Sequence, residues 1–480
     1  MTVLPSTVQE PRPGYRAVLA NTEFRALWFA HVTSVLGDQL TRIVLASVVL
    51  SRTGSVTLSA LSFATTYLPW LLGGPLLSLF ADRCPRRTVM VACDVARGLL
   101  VLAMVVPGTP IWALFVLASL VALLGPPFEA ARGATVPEVL PAPLYPVAQA
   151  LSMASLQAAQ LLGFALGGLL VTLQPGAWVL ALDAATFLLS AAVLQRYVAW
   201  RPGAEDAGEL TARSWARDST QGLRLVVRTP DLRRLLGLST VVAAVTVLPE
   251  SLAIAQADAL GRTPFVAGLL CAALPFGTVL GAAFAGRPGA TRDRLTLVRP
   301  LGLLACAASA ACLLEPGLPG LVVLWVLAGI GAGGLLPANV AFVLRVAPSL
   351  RGRALSVAQV VLQVGQGLAV AGGGVLAGTV GPAAAVGWAG VLGLVGVGAM
   401  CLRWPASLRT TEPGRRRSSR RLRRCRLLDR PSGGCGSSPR SSPWPLRGCG
   451  GRSVRTSPPL RHLWTCRGGA CCRRSSLRRP

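Results

Sequence analysis

About twelve apolar stretches, each long enough to cross the hydrocarbon core of a bilayer as a helix, follow one another through the first 402 residues of this chain. They lie near residues 24–50, 57–80, 88–107, 110–128, 146–173, 176–195, 236–257, 264–285, 299–314, 319–345, 354–378 and 383–402. A spanning helix needs about 20 predominantly apolar residues, and a soluble domain has no use for a dozen such runs. Composition agrees: of 480 residues 52% are hydrophobic and only 14% charged, far from the balance of a soluble globular protein. The expected fold class is an all-α membrane protein with twelve transmembrane helices. The first 20 residues are polar and Pro-containing, without the apolar segment of a cleavable signal peptide, so none is expected.

Charge gives the orientation. With the N-terminus inside, the inner segments before residue 403 hold 22 Arg, whereas the outer loops hold Arg52 and Arg262 alone. This positive-inside asymmetry predicts an even number of spans with both termini cytoplasmic. The break "SLFADRCPRRTVM" then becomes a tight cytoplasmic turn between spans two and three, carrying Asp82, Arg83, Arg86 and Arg87.

The chain also repeats itself. "ALSMASLQAAQLLGFALGGLLV" from Ala150 and "ALSVAQVVLQVGQGLAVAGGGVLAG" from Ala354 share an opening, a Gln-bearing middle and a Gly cluster, and they fall on spans five and eleven. Related spans six apart imply a duplicated six-helix unit. The expected organisation is two pseudo-symmetric bundles, 1–195 and 236–402, joined by a cytoplasmic linker over 196–235 with an amphipathic helix after Thr211.

Two halves of six spans, a basic central loop and "SLFADRCPRR" after span two resemble the major facilitator superfamily, whose loop motif runs approximately G-x-x-x-D-R-x-x-R-R. Asp82, Arg83, Arg86 and Arg87 match its charged positions, and Ser78 stands where the first Gly is usual. With "NTEFRALW" before span one, "GDQLTRIVLA" within it and "SLRGRALS" before span eleven, the pattern looks most like the bacterial enterobactin-exporter and macrolide-efflux branch. In the superfamily's drug/proton antiporters span five carries a pattern like G-x-x-x-G-P-x-x-G-G. Here Ala159, Gly163, Phe164, Gly167 and Gly168 occupy those places, so the Pro is missing. The resemblance implies alternating access about a midplane cavity in the bacterial inner membrane. The loop charges can act as a latch, pairing across the halves when the cytoplasmic side closes, or can simply fix topology.

A charge deep in lipid costs about 2.5–3.5 kcal/mol on insertion scales and needs a reason to be there. Asp38 sits near the centre of span one with Arg42 one turn later on the same face. The pair is either an intrahelical salt bridge or, facing a cavity, a proton-accepting carboxylate beside a cation that modulates it. Asp94 and Arg97 make a similar pair near the start of span three, where a structural role is expected. Asp183 in span six and Glu250 near the outer end of span seven have no partner by spacing; either can face the cavity, Glu250 can instead lie at the outer interface after Pro249, and His31 reads as packing. Gln157, Gln160, Gln359, Gln363 and Gln366 are candidates for substrate hydrogen bonds or for contacts between helices. Gly163, Gly167, Gly168 and Gly373, with Gly372 and Gly374, are expected to let helices approach closely.

No P-loop, nucleophile motif or metal-ligand spacing occurs, so no enzyme and no cofactor is expected. The leading expectation is a monomeric secondary transporter that exports a moderately apolar small molecule of drug, macrolide or siderophore type, coupled to protons. The alternatives are an uptake permease of the same fold and a non-transporting membrane receptor or scaffold.

Residues 403–480 stand apart. They hold 21 Arg against Glu412 and Asp429, a net +19 of the chain's +28, and six of the twelve Cys. Rich in Arg, Ser, Pro and Gly, the segment is expected to be disordered, as a solvated appendage without a specific nucleic-acid partner. Anionic lipid or RNA could attract it. The absence of Lys points to G+C-rich coding, and the tail has the look of such DNA read out of frame. Mass spectrometry of the natural protein separates these readings: an end near residue 405 is the outcome of a frame error, and intact tail peptides refute it.

Overall fold

The chain's structure, a computed structural model, describes residues 14–69, 84–201, 212–285, 294–347 and 350–402. A short helix, α1 (Tyr15–Ala20), leads into α2 (Thr22–Thr53). Asn21 starts α2: its side-chain oxygen accepts the Phe24 N–H at 3.0 Å, and its amide donates to the Val139 carbonyl at 3.1 Å. At the other end Gly54, at φ 63°, turns the chain into α3 (Val56–Tyr67). The first bundle continues with α4 (Arg86–Met104), α5 (Ile111–Leu123), α6 (Gly125–Val139), α7 (Tyr145–Leu173) and α8 (Gly176–Tyr197). After α9 (Ala212–Arg228), the second bundle comprises α10 (Pro230–Ala259), α11 (Pro264–Ala285), α12 (Arg294–Ala310), α13 (Leu318–Ala332), α14 (Leu335–Arg345), α15 (Arg351–Val380) and α16 (Pro382–Leu402).

Ten helices among the described residues are long and apolar enough to cross a membrane, with α5 and α6 counted as one span and α13 and α14 as another. Of the two other predicted spans, α3 runs up to the limit of the described residues, and α4 carries Arg86, Arg87, Asp94 and Arg97. No strand occurs among the described residues. Trp112, Trp178 and Trp200, near helix ends, are more than half exposed, as suits the two interfaces of a bilayer.

The fourth span of each bundle is broken at a matched place. Leu124 separates α5 from α6, whose first turn holds Pro126 and Pro127, and Gly333 and Gly334 separate α13 from α14. Sequence reading ends the first of these spans at residue 128, but the helix runs on to Val139. The extension carries Glu129 and Arg132, which neutralise each other one turn apart at 2.8 Å and so remain compatible with a helix at the membrane.

The hydrophobic core shows where the bundles meet. On the Arg-rich side it is split: Phe24, Met90, Phe128 and Leu194 pack within the first bundle, and Leu232, Val298, Phe342 and Ala354 within the second. On the Arg-poor side one cluster draws on both, including Ile43, Phe63 and Phe164 with Leu252, Leu270 and Val370. There α7 meets α11 and α3 meets α15. The amide of Phe265 donates to Thr172 Oγ1 at 3.0 Å, and the Thr57 hydroxyl donates to the Gly374 carbonyl at 3.1 Å.

Gly168 and Gly268 make this seam possible. A Cβ on Gly168 would lie 2.7 Å from the Pro264 carbonyl oxygen, and one on Gly268 2.5 Å from that of Phe164. Gly163 and Gly167 instead face α2, against Gln39 and Leu40, while Gly373 packs on Leu248 and Gly374 on Ala60; Gly372 borders open space. The linker helix α9 rests on the start of α15, where Gly222 approaches the Arg353 carbonyl and Arg353 Nη1 donates to Gln221 Oε1 at 2.7 Å.

Gly168→Val is expected to force the seam apart. Peptide mapping should show a several-fold rise in maleimide labelling of the buried Cys271 beside it; unchanged labelling means that the seam absorbs the side chain.

Candidate functional site

Between the bundles, on the Arg-rich side of the seam, lies a cavity of about 780 Å³. Helix α2 contributes His31, Ser34, Asp38, Gln39 and Arg42 from one side, and α10 contributes Thr246 and Glu250 from the other. The repeated helices face each other across it, with Gln157 and Gln160 on α7 and Gln359, Gln363 and Gln366 on α15. The three on α15 follow the four- and three-residue steps of one helix face, so their common exposure to the cavity was legible from spacing. Gln366 Nε2 donates to Gln363 Oε1 and to the Leu362 carbonyl, each at 3.3 Å.

The charged groups pair differently from the expectation. Asp38 does not pair with Arg42; its carboxylate lies 3.7 Å from Arg97 Nη2 of α4. Arg97 is buried, donates from Nε to the Val121 carbonyl at 3.2 Å and from Nη1 to Ser34 Oγ at 3.5 Å, and lies over the Phe187 ring. Asp94, released from the expected pairing with Arg97, accepts the Ser190 hydroxyl on α8. Arg42 lies over the Tyr67 ring, 5.7 Å from its centroid. Helical spacing shows which residues share a face, but a neighbouring helix offered a better-placed partner in each case.

Asp183 is fully buried and is not among the cavity-lining residues. It accepts the Thr41 hydroxyl, and Thr186 Oγ1 donates to it at 3.2 Å, filling the space left by Gly37 on α2. Glu250, whose position was open between cavity and interface, lines the cavity. Glu129, not singled out in the sequence, also lines it, with His31 Nδ1 at 3.1 Å and Arg132 Nη2 at 2.8 Å. The Glu-x-x-Arg spacing after the helix-breaking prolines was the available signal, whereas its histidine partner is 98 positions away along the chain and left none.

Of the loop-motif residues, Asp82 and Arg83 lie outside the described residues. Arg86 donates to Glu138 and to the Ala134 carbonyl, and Arg87 to the Val198 carbonyl at 3.2 Å, all within the first bundle. Glu138 also lies 3.8 Å from Arg201 Nε, and Arg201 pairs with Glu23. Hydrogen bonding to Glu23 raises the Arg201 pKa further above its ordinary value. This network ties together the ends of α2, α4, α6 and α8 on the Arg-rich side. In the second bundle Asp231 and Arg345 form a looser pair at 3.9 Å. No group of three or more His, Cys, Asp or Glu that could hold a metal occurs among the described residues.

A polar cavity held between two helical bundles, each clad in apolar side chains, defines a membrane transporter. The family model described as Major Facilitator Superfamily matches residues 27–254 and 235–472, and the chain belongs to that family. An uncharacterized MFS-type transporter of Bacillus subtilis (strain 168), YfiS, is 30% identical over 333 residues, covering 67% of this chain and 78% of the relative. Among solved structures the chain is similar to a bacterial homolog of the human lysosomal transporter Spinster, at 17% identity and a TM-score of 0.57, over 79% of this chain and 93% of that one. It is similar to a POT peptide transporter in complex with sulfate, at 13% identity and a TM-score of 0.64, over 84% and 98%. These structures share the fold. The chain is accordingly a multi-pass membrane protein that carries a small-molecule substrate.

Breaking a buried ion pair by removing one partner costs about 3–5 kcal/mol because the other charge is stranded. Arg97→Gln is expected to destabilise the purified protein in that range, read as a fall in Tm. Asp38→Asn combined with it should cost less than the sum of the two single changes; strict additivity would show that the carboxylate and the guanidinium do not interact.

Proposed function

We propose that this transporter is a proton-coupled exporter of moderately apolar small molecules, working by alternating access in the bacterial inner membrane with both termini cytoplasmic. The observation that carries the reading is the cavity itself. Both bundles line it, its walls combine apolar residues with glutamines and ion pairs, and the seam stands on the Arg-poor side. Positive-inside asymmetry makes that side the external one, so the state described faces the cytoplasm and loads its substrate there. The bundle limits are taken as 1–195 and 236–402 around the linker 196–235, and the working unit as a monomer without enzymatic activity.

Asp38 is assigned the proton. Its carboxylate lines the cavity beside Arg97, so protonation removes the counter-charge of a guanidinium that holds α4 to α2 and α5. A proton that loosens this pair and a substrate that fills the same cavity act on one set of helices, as coupling requires. The motifs "NTEFRALW", "GDQLTRIVLA" and "SLRGRALS" support the enterobactin-exporter and macrolide-efflux branch. On this reading Arg86 and Arg87 belong to the latch in its released condition, satisfied within their own bundle.

The test is efflux of a panel of dyes, macrolides and siderophores from cells expressing residues 1–405, with and without a protonophore. Gradient-dependent efflux that Asp38→Asn abolishes at equal membrane abundance is the expected result. Accumulation equal to that of empty cells across the panel rejects export, and efflux indifferent to Asp38→Asn moves the proton elsewhere.

A further inference from the structure

The ionisable groups of the cavity divide into those with partners and those without. Asp38 has Arg97, and Glu129 has Arg132 and His31. Arg42 and Glu250 stand outside this scheme. Among the described residues the Arg42 Nε is buried without a hydrogen-bond partner, and the Glu250 carboxylate makes neither a hydrogen bond nor an ion pair. Arg42 belongs to the first bundle and Glu250 to the second. Both lie toward the seam, at the closed end, with the Tyr67 ring beneath the guanidinium. Gln39, one turn before Arg42 on α2, is only 2% exposed, lines the cavity and also has its side-chain oxygen buried without a partner.

Unpaired charge at membrane depth is expensive, and a ligand that completes it recovers that cost on binding. The unmet needs are complementary: Arg42 lacks an acceptor, while Glu250 and the Gln39 oxygen lack donors. We propose that the closed end of the cavity is a two-point site for amphoteric substrates. An anionic group of the substrate binds Arg42, an ammonium binds Glu250, and an apolar body lies along Tyr67. This deepens the export reading by naming the substrate class, and it rests on the cavity being the transport site. A singly charged molecule satisfies one bundle and leaves the other bundle's charge bare, so the site discriminates against it.

Norfloxacin, with a carboxylate and a piperazinium on one apolar ring system, provides a matched set of probes. Its ethyl ester is cationic, its N-acetyl derivative anionic and the N-acetyl ethyl ester neutral. Binding of each to the purified full-length protein is measured by thermal shift and calorimetry. The expected result is that norfloxacin binds at least about tenfold more tightly than either singly charged form, a typical minimum for one buried ion pair. Arg42→Gln should erase the advantage over the cationic ester, Glu250→Gln the advantage over the anionic derivative, and Arg42→Lys should restore part of the loss. Equal affinity for all four forms, preference for the neutral one, no binding of norfloxacin, or unchanged preferences in correctly folded variants overturns the proposal. If the neutral form is exported without any charge preference, the export reading stands and this inference falls. If the charge pattern holds in binding but norfloxacin never leaves cells, the site stands and the export reading falls.

Discussion

A guanidinium inside a bilayer is costly to hold alone, and Arg97 gathers partners from three neighbouring helices. Its own helix, α4, places it among Ser34 and Asp38 of α2, the Val121 carbonyl of α5 and the Phe187 ring of α8. Each partner lowers the cost of holding the charge in apolar surroundings, and together they fix how four of the bundle's spans stand around it. The Val121 carbonyl lies in the last turn of α5, just before the chain breaks into α6, so the cation meets the negative end of a helix dipole. The break in turn sets Glu129 and Arg132 at the cavity wall. Much of the polar architecture of the first bundle therefore follows from one buried cation.

The fold was largely legible because lipid imposes a simple rule: runs of about 20 apolar residues cross, and arginines stay on one side. The Gln positions on α7 and α15 were legible for a related reason, since periodicity alone decides which residues share a helix face. The pairings were not. Asp38 with Arg42 and Asp94 with Arg97 were plausible by spacing, yet the structure gives Asp38 to Arg97 and Asp94 to Ser190. Their partners come from other helices, and no local pattern encodes which helix lies alongside. The same holds for Glu23, Glu138 and Arg201, whose network is spread over almost 180 positions of sequence.

The two bundles use their charges differently. The first concentrates them, with Asp38, Arg97, Glu129, Arg132 and His31 neutralised in groups along one wall. The second presents a largely amide wall on α15 and a single acidic group, Glu250, on α10. Two bundles broken at matched places are thus chemically asymmetric, with ion pairs along one wall of the cavity and amides along the other.

The contact of Gly168 with Gly268 has a mechanical meaning. At this point backbone lies against backbone with no side chain between the two helices, and the packed side chains of the seam stand to either side. Parting the helices strands no charge: the two hydrogen bonds from Phe265 and Thr57 are between neutral groups. The closeness of the joint therefore rests on two missing side chains, and any side chain larger than hydrogen at either position meets the opposite backbone before the helices can come as near.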